Sequence, residues 1–390
     1  MTHQSRCSRP QVLRVAVTRL AFLALAVTFC SGCSQLLAIG RNAVVMGVAV
    51  DAEPGGHIRT TVQMYHHGGP TGQVGEGGRG TGGGGSSGGG GTSKPLVITL
   101  HGTGSDFAQA ITSVQAQTDE RIGFWATQLL LIGHGMAHRG VRQSLDALLR
   151  DGDFSLLTQV AVVAGNAGKL LQSHQPGGSA EEISDRLEHS AGTATGSIPV
   201  PFWRFMARLS TPYNAAWAPV LALTTQGYRA AGIAVFRGDT LANILGQSQS
   251  QALGWILKPG GFGSVTFKIP QTGDPVTLNI VARKKHLKLS STAEATIMLS
   301  LNANVQQGAR ISLRRSLARR SLEQAAAVAV SHQLRIALTS LQAAGTDVIG
   351  FGELERERDP ALAAQWPAIF HKMHIQVNVS VHVLPSGRIA

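Results

Sequence analysis

The pattern of apolar and polar positions along the chain predicts both strands and helices. Residues 42–51 and 59–65 are rich in β-branched side chains, and the Pro-Gly-Gly turn between them predicts a hairpin. Residues 375–383 alternate Ile or Val with polar side chains, and this period of two predicts a strand. Residues 309–344 repeat apolar side chains at helical spacing, and the glycine that follows predicts the end of a long helix.

The central part of the chain has the pattern of alternating strands and helices. Amphipathic stretches, which predict helices, separate short apolar runs, which predict strands. A helical region follows residue 165, and β-type segments resume at about residue 229. The predicted strands of the alternating part cover residues 96–100, 124–133 and 158–165.

The first of these strands leads into a glycine-containing segment and then a helix. Gly102 and Gly104 predict a turn directly after the strand. Asp106, with Gln109 three residues later, has the spacing of a capping box and predicts the helix start. The sequence therefore predicts a strand–turn–helix unit here.

The same segment, His-Gly-Thr-Gly-Ser, also looks like the oxyanion loop of an α/β-hydrolase. A hydrolase needs a nucleophile elbow, Gly-x-Ser-x-Gly, between a strand and a helix. Matches to that pattern, such as residues 84–88, lie inside a glycine-rich tract that cannot hold a serine under strain. We therefore interpret His101 and Ser105 as structural residues and predict no catalytic residue.

The glycine-rich tract separates two strand-like segments. Residues 68–92 contain 15 glycines among 25 residues, which leaves too little apolar surface to offset the entropy of ordering the chain. The composition predicts a disordered loop insertion over 68–93 rather than a linker between domains.

Metal, cofactor and nucleic-acid sites are not predicted. His134 and His138 have helical spacing, but the segment lacks the Glu of a His-Glu-x-x-His zinc motif. Gly168 and Lys169 lack the remaining residues of a phosphate-binding loop. The formal net charge is +12, yet aromatic residues make up only 5% of the chain and are not interleaved with basic residues as nucleic-acid stacking platforms require.

The N-terminus has the features of a bacterial lipoprotein signal. A basic segment precedes an apolar run of about ten residues at 20–29, against the roughly 20 that a membrane-spanning helix needs. Ser31 and Gly32 before Cys33 match the last positions of a lipobox, where the cysteine sulfur receives a diacylglyceryl group. Cleavage before Cys30 is disfavoured because bulky Phe29 precedes it. The prediction is a signal peptide over 1–32 and lipidation of Cys33.

Cleavage at this site would leave Cys33 as the only cysteine of the mature chain. The three cysteines are Cys7, Cys30 and Cys33, so the first two would be removed with the signal. No intrachain disulfide is therefore expected to stabilise the protein.

Five segments follow one another along the chain in the order of a known family, at residues 36–51, 102–151, 232–241, 345–353 and 365–389. Together they resemble the Ger(x)C family of spore-germination lipoproteins. The resemblance implies an α+β fold of mixed sheets and packed helices, in about three subdomains after a cleaved signal peptide. It implies an N-terminal region at 33–208, which contains the glycine-rich insertion, and a C-terminal region at 229–390.

The resemblance also implies a function without catalysis. Members of this family are C subunits of nutrient germinant receptors, held by lipid on the outer face of the inner spore membrane beside integral A and B subunits. Membrane lipid through Cys33 and these two subunits are thus the expected partners, with no cofactor and no nucleic acid. The alternatives are a secreted, lipid-anchored hydrolase that uses His101 and Ser105, and a solute-binding lipoprotein.

Overall fold

The computed structural model describes most of the chain after the predicted signal. Residues from Ala43 onward form one compact unit. The predicted signal peptide, Cys33 and the glycine-rich insertion lie outside the described residues. The described ranges are 42–66, 96–173, 179–189, 197–225, 227–258, 260–270, 272–307 and 316–384.

The larger of two sheets contains nine of the described strands, with four parallel strands at its centre. Its order is β3-β2-β1-β5-β6-β7-β8-β9, with β4 paired to β1. Neighbours β1, β5, β6 and β7 are parallel, and the other neighbours along this path are antiparallel. The strands are β1 (Asn42–Ala52), β2 (Ile58–His66), β3 (Leu96–Gly104), β4 (Arg121–Gly123), β5 (Leu129–Gly133), β6 (Gln159–Val163), β7 (Trp217–Thr224), β8 (Gly227–Arg237) and β9 (Thr240–Leu245).

The second sheet contains the four remaining described strands in chain order. Its members are β10 (Ser264–Lys268), β11 (Pro275–Ser291), β12 (Glu294–Gln307) and β13 (His374–Val383). The first three strands pair antiparallel, whereas β13 returns parallel to β12 after a long helical connection.

Ten α-helices within the described residues pack on these sheets. They are α1 (Phe107–Gln115), α2 (His134–Arg139), α3 (Arg142–Arg150), α4 (Ala167–Leu171), α5 (Ala180–His189), α6 (Phe202–Leu209), α7 (Gln247–Leu257), α8 (Ser316–Ala344), α9 (Phe351–Arg356) and α10 (Trp366–Lys372). Short 3₁₀ turns cover Pro54–Gly56 and Pro360–Gln365. The predicted α+β class is confirmed.

The apolar pattern explains the longest helix and the central strands. Helix α8 buries a stripe with helical spacing that includes Val330, Leu334 and Leu341, and Gly345 ends the helix in the left-handed region at φ 64°. Every residue of β5 and of β6 is buried, as expected for parallel strands covered on both faces. The first part of the predicted helix, residues 309–315, lies outside the described residues.

The two sequence regions share one sheet. Near the start of the predicted C-terminal region, β8 pairs with β7 and β9 pairs with β8, so both strands extend the large sheet. One hydrophobic core joins buried side chains from both sheets, among them Val48 of β1 and Leu299 of β12. The boundary between residues 208 and 229 stays a prediction about sequence regions, since the strands on either side of it pair directly.

Three details of the sequence-based secondary structure are wrong. The first alternating strand does not end at residue 100, because β3 continues through Gly104. The predicted strand at 124–133 is also too long, because β5 covers only Leu129–Gly133. The helical spacing of Leu149 from Leu145 predicts burial in the same stripe, but Leu149 is exposed, because it lies in the last turn of α3, beyond its buried residues.

Candidate functional site

The hydrolase-like segment forms an edge strand and a capped helix. The Asp106 carboxylate accepts a hydrogen bond from the Gln109 backbone N–H at 2.8 Å, and the Gln109 side chain accepts one from the Ser105 N–H at 2.6 Å. Asp106 is therefore the N-cap that the spacing predicts, but the predicted capping box is only half formed, because Gln109 accepts from Ser105 rather than from the N-cap residue. The Ser105 hydroxyl donates to Asp106 at 3.2 Å, and the His101 carbonyl accepts from Gln117 at 2.8 Å. His101 and Ser105 therefore form hydrogen bonds at the two ends of α1. They do not form a Ser–His catalytic dyad with each other, so the hydrolase alternative is not favoured.

Gly102 and Gly104 are required here for close packing. Neither glycine has a positive φ, so the predicted turn geometry is wrong. A Cβ on Gly102 would lie 2.3 Å from the carbonyl oxygen of Ala110, and a Cβ on Gly104 would lie 2.5 Å from the Ala110 nitrogen. The two glycines let α1 rest directly on β3 at a distance that no side chain permits.

The predicted histidine pair forms a contact within one helix. The Nε2 atoms of His134 and His138 are 3.3 Å apart on α2, and the rings meet edge to face. Within the described part of the chain, no group of three or more His, Cys, Asp or Glu side chains is arranged to hold a metal ion.

A buried carboxylate occupies the carboxyl ends of the central parallel strands. Open parallel sheets commonly bind ligands at this edge. Here Asp51, at the end of β1, accepts backbone N–H groups from Ala167 at 2.7 Å and Gly168 at 2.8 Å. A Cβ on Gly133 would lie 1.9 Å from the Asp51 carboxylate, so only glycine fits beside it. Burial raises the pKa of Asp51, and the two backbone hydrogen bonds oppose that shift.

A second buried carboxylate organises the loop between α8 and α9. Asp347 accepts hydrogen bonds from the Gly350 N–H at 2.9 Å, the Gly352 N–H at 2.7 Å and the Trp366 indole N–H at 3.1 Å. Burial raises the pKa of Asp347, while these three donors and the charge of Arg208 oppose the shift. The acid thus closes its own loop and fixes the start of α10.

Arg208 connects this loop to the N-terminal half of the chain. Its guanidinium donates to the carbonyl of Ala215 at 3.0 Å and of Val348 at 3.3 Å, and it lies 4.3 Å from the centre of the Trp217 ring. Burial lowers the pKa of Arg208 to about 10, and the charge of Asp347 opposes that shift. The arginine stabilises contacts between residues about 140 positions apart, so its role is structural.

A groove lies between α8 and the second sheet. It encloses about 810 Å³, and the described residues that line it include no Asp or Glu. His332 and Arg335 contribute to it from α8, and Lys285 contributes from β11. Lys285 pairs across the sheet with buried Leu299, so its side chain starts on the face that the helix covers. The groove is basic at its rim and apolar at its floor.

Sequence reasoning missed Asp51, Arg208 and Asp347. Each acid adjoins apolar residues, as in Val-Ala-Val-Asp at 48–51. An acid next to residues that are expected to be buried was the signal that could have identified these positions. The partners of Asp51 lie more than 100 positions away, so no short pattern could identify that cluster. Asp347 bonds to Gly350 and Gly352 within its own loop, but Arg208 and Trp366 lie outside that segment.

The fold and these clusters define a structural α+β protein. Its buried charged side chains form hydrogen bonds with its own backbone. Comparison with families of known proteins identifies it further. The model described as "Spore germination protein N-terminal domain" matches residues 38–223, and the model described as "Spore germination B3/GerAC like, C-terminal" matches residues 231–387. The chain belongs to the GerAC family of spore germination proteins, which confirms the predicted Ger(x)C resemblance.

A solved structure supports the same fold. The chain is similar to the structure titled "Crystal Structure of the GerBC protein", with a TM-score of 0.54 and 15% sequence identity over 87% of this chain and 97% of that chain. Comparison with curated protein sequences finds no significant match. The family identifies the chain as a C subunit of a germinant receptor.

Proposed function

We propose that this receptor subunit acts without catalysis, as a lipoprotein on the outer face of the inner spore membrane. Cys33 is its lipid-modified N-terminus, and residues 1–32 are removed as a signal peptide. The observation that carries this proposal is the order of basic segment, short apolar run and Ser-Gly-Cys immediately before the family match begins at residue 38. A diacylglyceryl group supplies two chains, whereas a single acyl chain gives only marginal binding.

The proposed partners are the integral membrane A and B subunits of the receptor. The C subunit would stand beside them and help to convert nutrient binding into ion release. Family membership supports this arrangement, and the position of His101 and Ser105 at the ends of α1 supports a role without ester hydrolysis. Within the described residues, no helix combines the length and apolarity needed to cross a bilayer.

The anchor is tested by two matched cysteine variants. Cys33→Ala should release the protein from spore membranes and slow nutrient-triggered germination, whereas Cys30→Ala should leave both unchanged. Mass spectrometry of the mature N-terminus identifies the modified residue. An unmodified N-terminus elsewhere in the chain, or a Cys33→Ala protein that stays in the membrane fraction, would contradict the proposed anchor. Co-purification with two multispanning proteins tests the partners separately.

A further inference from the structure

Two exposed tryptophans and several exposed leucines lie at one edge of the large sheet. We call this edge the amino edge, because β5 and β6 both begin there. Trp125 precedes β5 and has 48% of its surface exposed, and Leu157 precedes β6 and has 71% exposed. Trp203, at the start of α6, has 44% exposed. Exposed apolar side chains of this size are unusual when they share one edge of a fold.

Hydrogen bonds join the segments that carry these side chains. The Trp203 N–H donates to the carbonyl of Leu156 at 3.1 Å, which attaches α6 to the loop before β6. The Thr158 hydroxyl donates to the Thr127 carbonyl at 2.7 Å, which attaches that loop to the segment before β5. These bonds hold the three segments that carry the exposed residues next to one another at the amino edge. Leu156 is itself exposed on it.

Strand β1 enters the large sheet at the same edge. It runs parallel to β5, with Gly47 opposite Leu129, so Asn42 lies five residues further toward the amino edge. The Thr127 hydroxyl also donates to the Val45 carbonyl at 3.2 Å, which ties β1 to the segment that follows Trp125. Asn42 lies only nine positions after Cys33 in the sequence. Nine residues span at most about 30 Å, so an anchor at Cys33 keeps this edge close to the membrane.

We propose that the amino edge is a membrane-docking surface that rests on the lipid bilayer. The inference depends on the proposed anchor at Cys33 for its geometry. Tryptophan favours the interface between headgroups and hydrocarbon, and exposed leucines gain from burial there. The Arg204 guanidinium lies 5.2 Å from the centre of the Trp203 ring, where it can contact lipid phosphate.

Apolar contact rather than net charge supplies the attraction. The exposed acids Asp151 and Asp153 lie on the loop between α3 and β6, close in sequence to exposed Arg150. Arg150 is itself paired with Asp146 at 2.6 Å, so the two acids add negative charge and the edge is not a basic patch. Docking should therefore occur on neutral phosphatidylcholine and should not require anionic lipid.

The tryptophan content provides a direct test. Of the five tryptophans in the chain, Trp217, Trp255 and Trp366 are buried, which leaves Trp125 and Trp203 as those exposed to a lipid quencher. The lipid-modified protein is reconstituted into phosphatidylcholine vesicles with and without brominated acyl chains. The proposal expects quenching of tryptophan emission by the brominated lipid, and loss of that quenching in the variant Trp125→Phe with Trp203→Phe.

A matched pair of leucine variants separates docking from general surface effects. Leu157→Glu should shift the equilibrium between docked and undocked protein about tenfold toward the undocked form, and quenching should fall with it. Leu317→Glu changes the same residue type on α8, where Leu317 is 78% exposed, and should leave quenching unchanged.

The outcomes distinguish this surface from the anchor. Mass spectrometry of each sample reports whether Cys33 carries lipid. Lipid on Cys33 without quenching would overturn the docking surface alone, and would assign the amino edge to a protein partner instead. Absence of lipid on Cys33 would overturn the proposed anchor, and with it the geometric basis of the docking surface. Equal effects of Leu157→Glu and Leu317→Glu would also overturn the docking surface.

Discussion

The substitution Gly102→Ala should destabilise the protein although it adds only one methyl group. A Cβ at this position would lie 2.3 Å from the Ala110 carbonyl oxygen and 2.9 Å from the Ser113 Cβ. Carbon and oxygen atoms normally approach to about 3.3 Å, so α1 must move away from β3 by roughly 1 Å. That movement disturbs the buried face of α1, which includes Phe107 and Val114.

The expected cost follows from overpacking a close backbone contact. Forced additions to a packed region cost about 1–3 kcal/mol. Replacing glycine in a strand returns roughly 0.5–1 kcal/mol of backbone entropy, which offsets only part of that cost. The melting temperature should therefore fall by a few degrees, since each kcal/mol shifts it by about 2–4 °C in proteins of 150–250 residues. Gly104→Ala should behave alike, because its Cβ would lie 2.5 Å from the Ala110 nitrogen.

Thermal and urea unfolding of these variants and of three others test this reasoning. Gly152→Ala is the control, because its Cβ would meet nothing within 4 Å and its φ is not positive. His101→Ala and Ser105→Ala should change the free energy of unfolding by less than about 0.5 kcal/mol and leave germination rates near wild type. Equal stability of Gly102→Ala and Gly152→Ala would refute the packing argument. Slow germination by a stable His101→Ala or Ser105→Ala protein would instead point to a functional site in this segment.

Two further predictions concern Asp347 and the glycine-rich tract. Asp347→Asn should lose about 1–3 kcal/mol, because the amide nitrogen cannot accept the N–H groups that the carboxylate accepts. Because the pKa of Asp347 is raised in the folded protein, the free energy of unfolding of the wild type should fall as pH rises from about 4 through that pKa. Urea unfolding across this pH range should show a weaker pH dependence of this free energy in Asp347→Asn. Deletion of residues 72–90 should leave the melting temperature nearly unchanged, since loop-closure free energy varies by only about 0.6 kcal/mol per doubling of length. A melting temperature lower by many degrees would show that the tract contributes to the stability of the folded protein.

Local order along the chain could be predicted from the sequence because it depends on neighbouring residues. The β1–β2 hairpin follows from β-branched strands around Pro54 and two glycines, and the structure has it. The start of α1 follows from the side chains of Asp106 and Gln109, three positions apart. The stop of α8 follows from Gly345, which adopts a left-handed conformation that other residues disfavour. The family could likewise be identified from ordered segments without any structure.

Strand order and the polar clusters depend on tertiary structure, because a strand pattern defines a face but not a partner. No periodicity indicates that β1 lies between β2 and β5, or that β8 joins the first sheet rather than the second. Asp51 meets its donors 116 and 117 residues away, and Arg208 meets Val348 at a separation of 140.

The exposed amino edge also depends on tertiary structure. Trp125, Leu157 and Trp203 each look like ordinary apolar residues in the sequence. Parallel pairing of β5 with β6 brings the first two to one edge, and the hydrogen bond from Trp203 to Leu156 adds the third. Parallel strands align their starts, so residues that precede different strands become neighbours in space although tens of residues separate them in the chain.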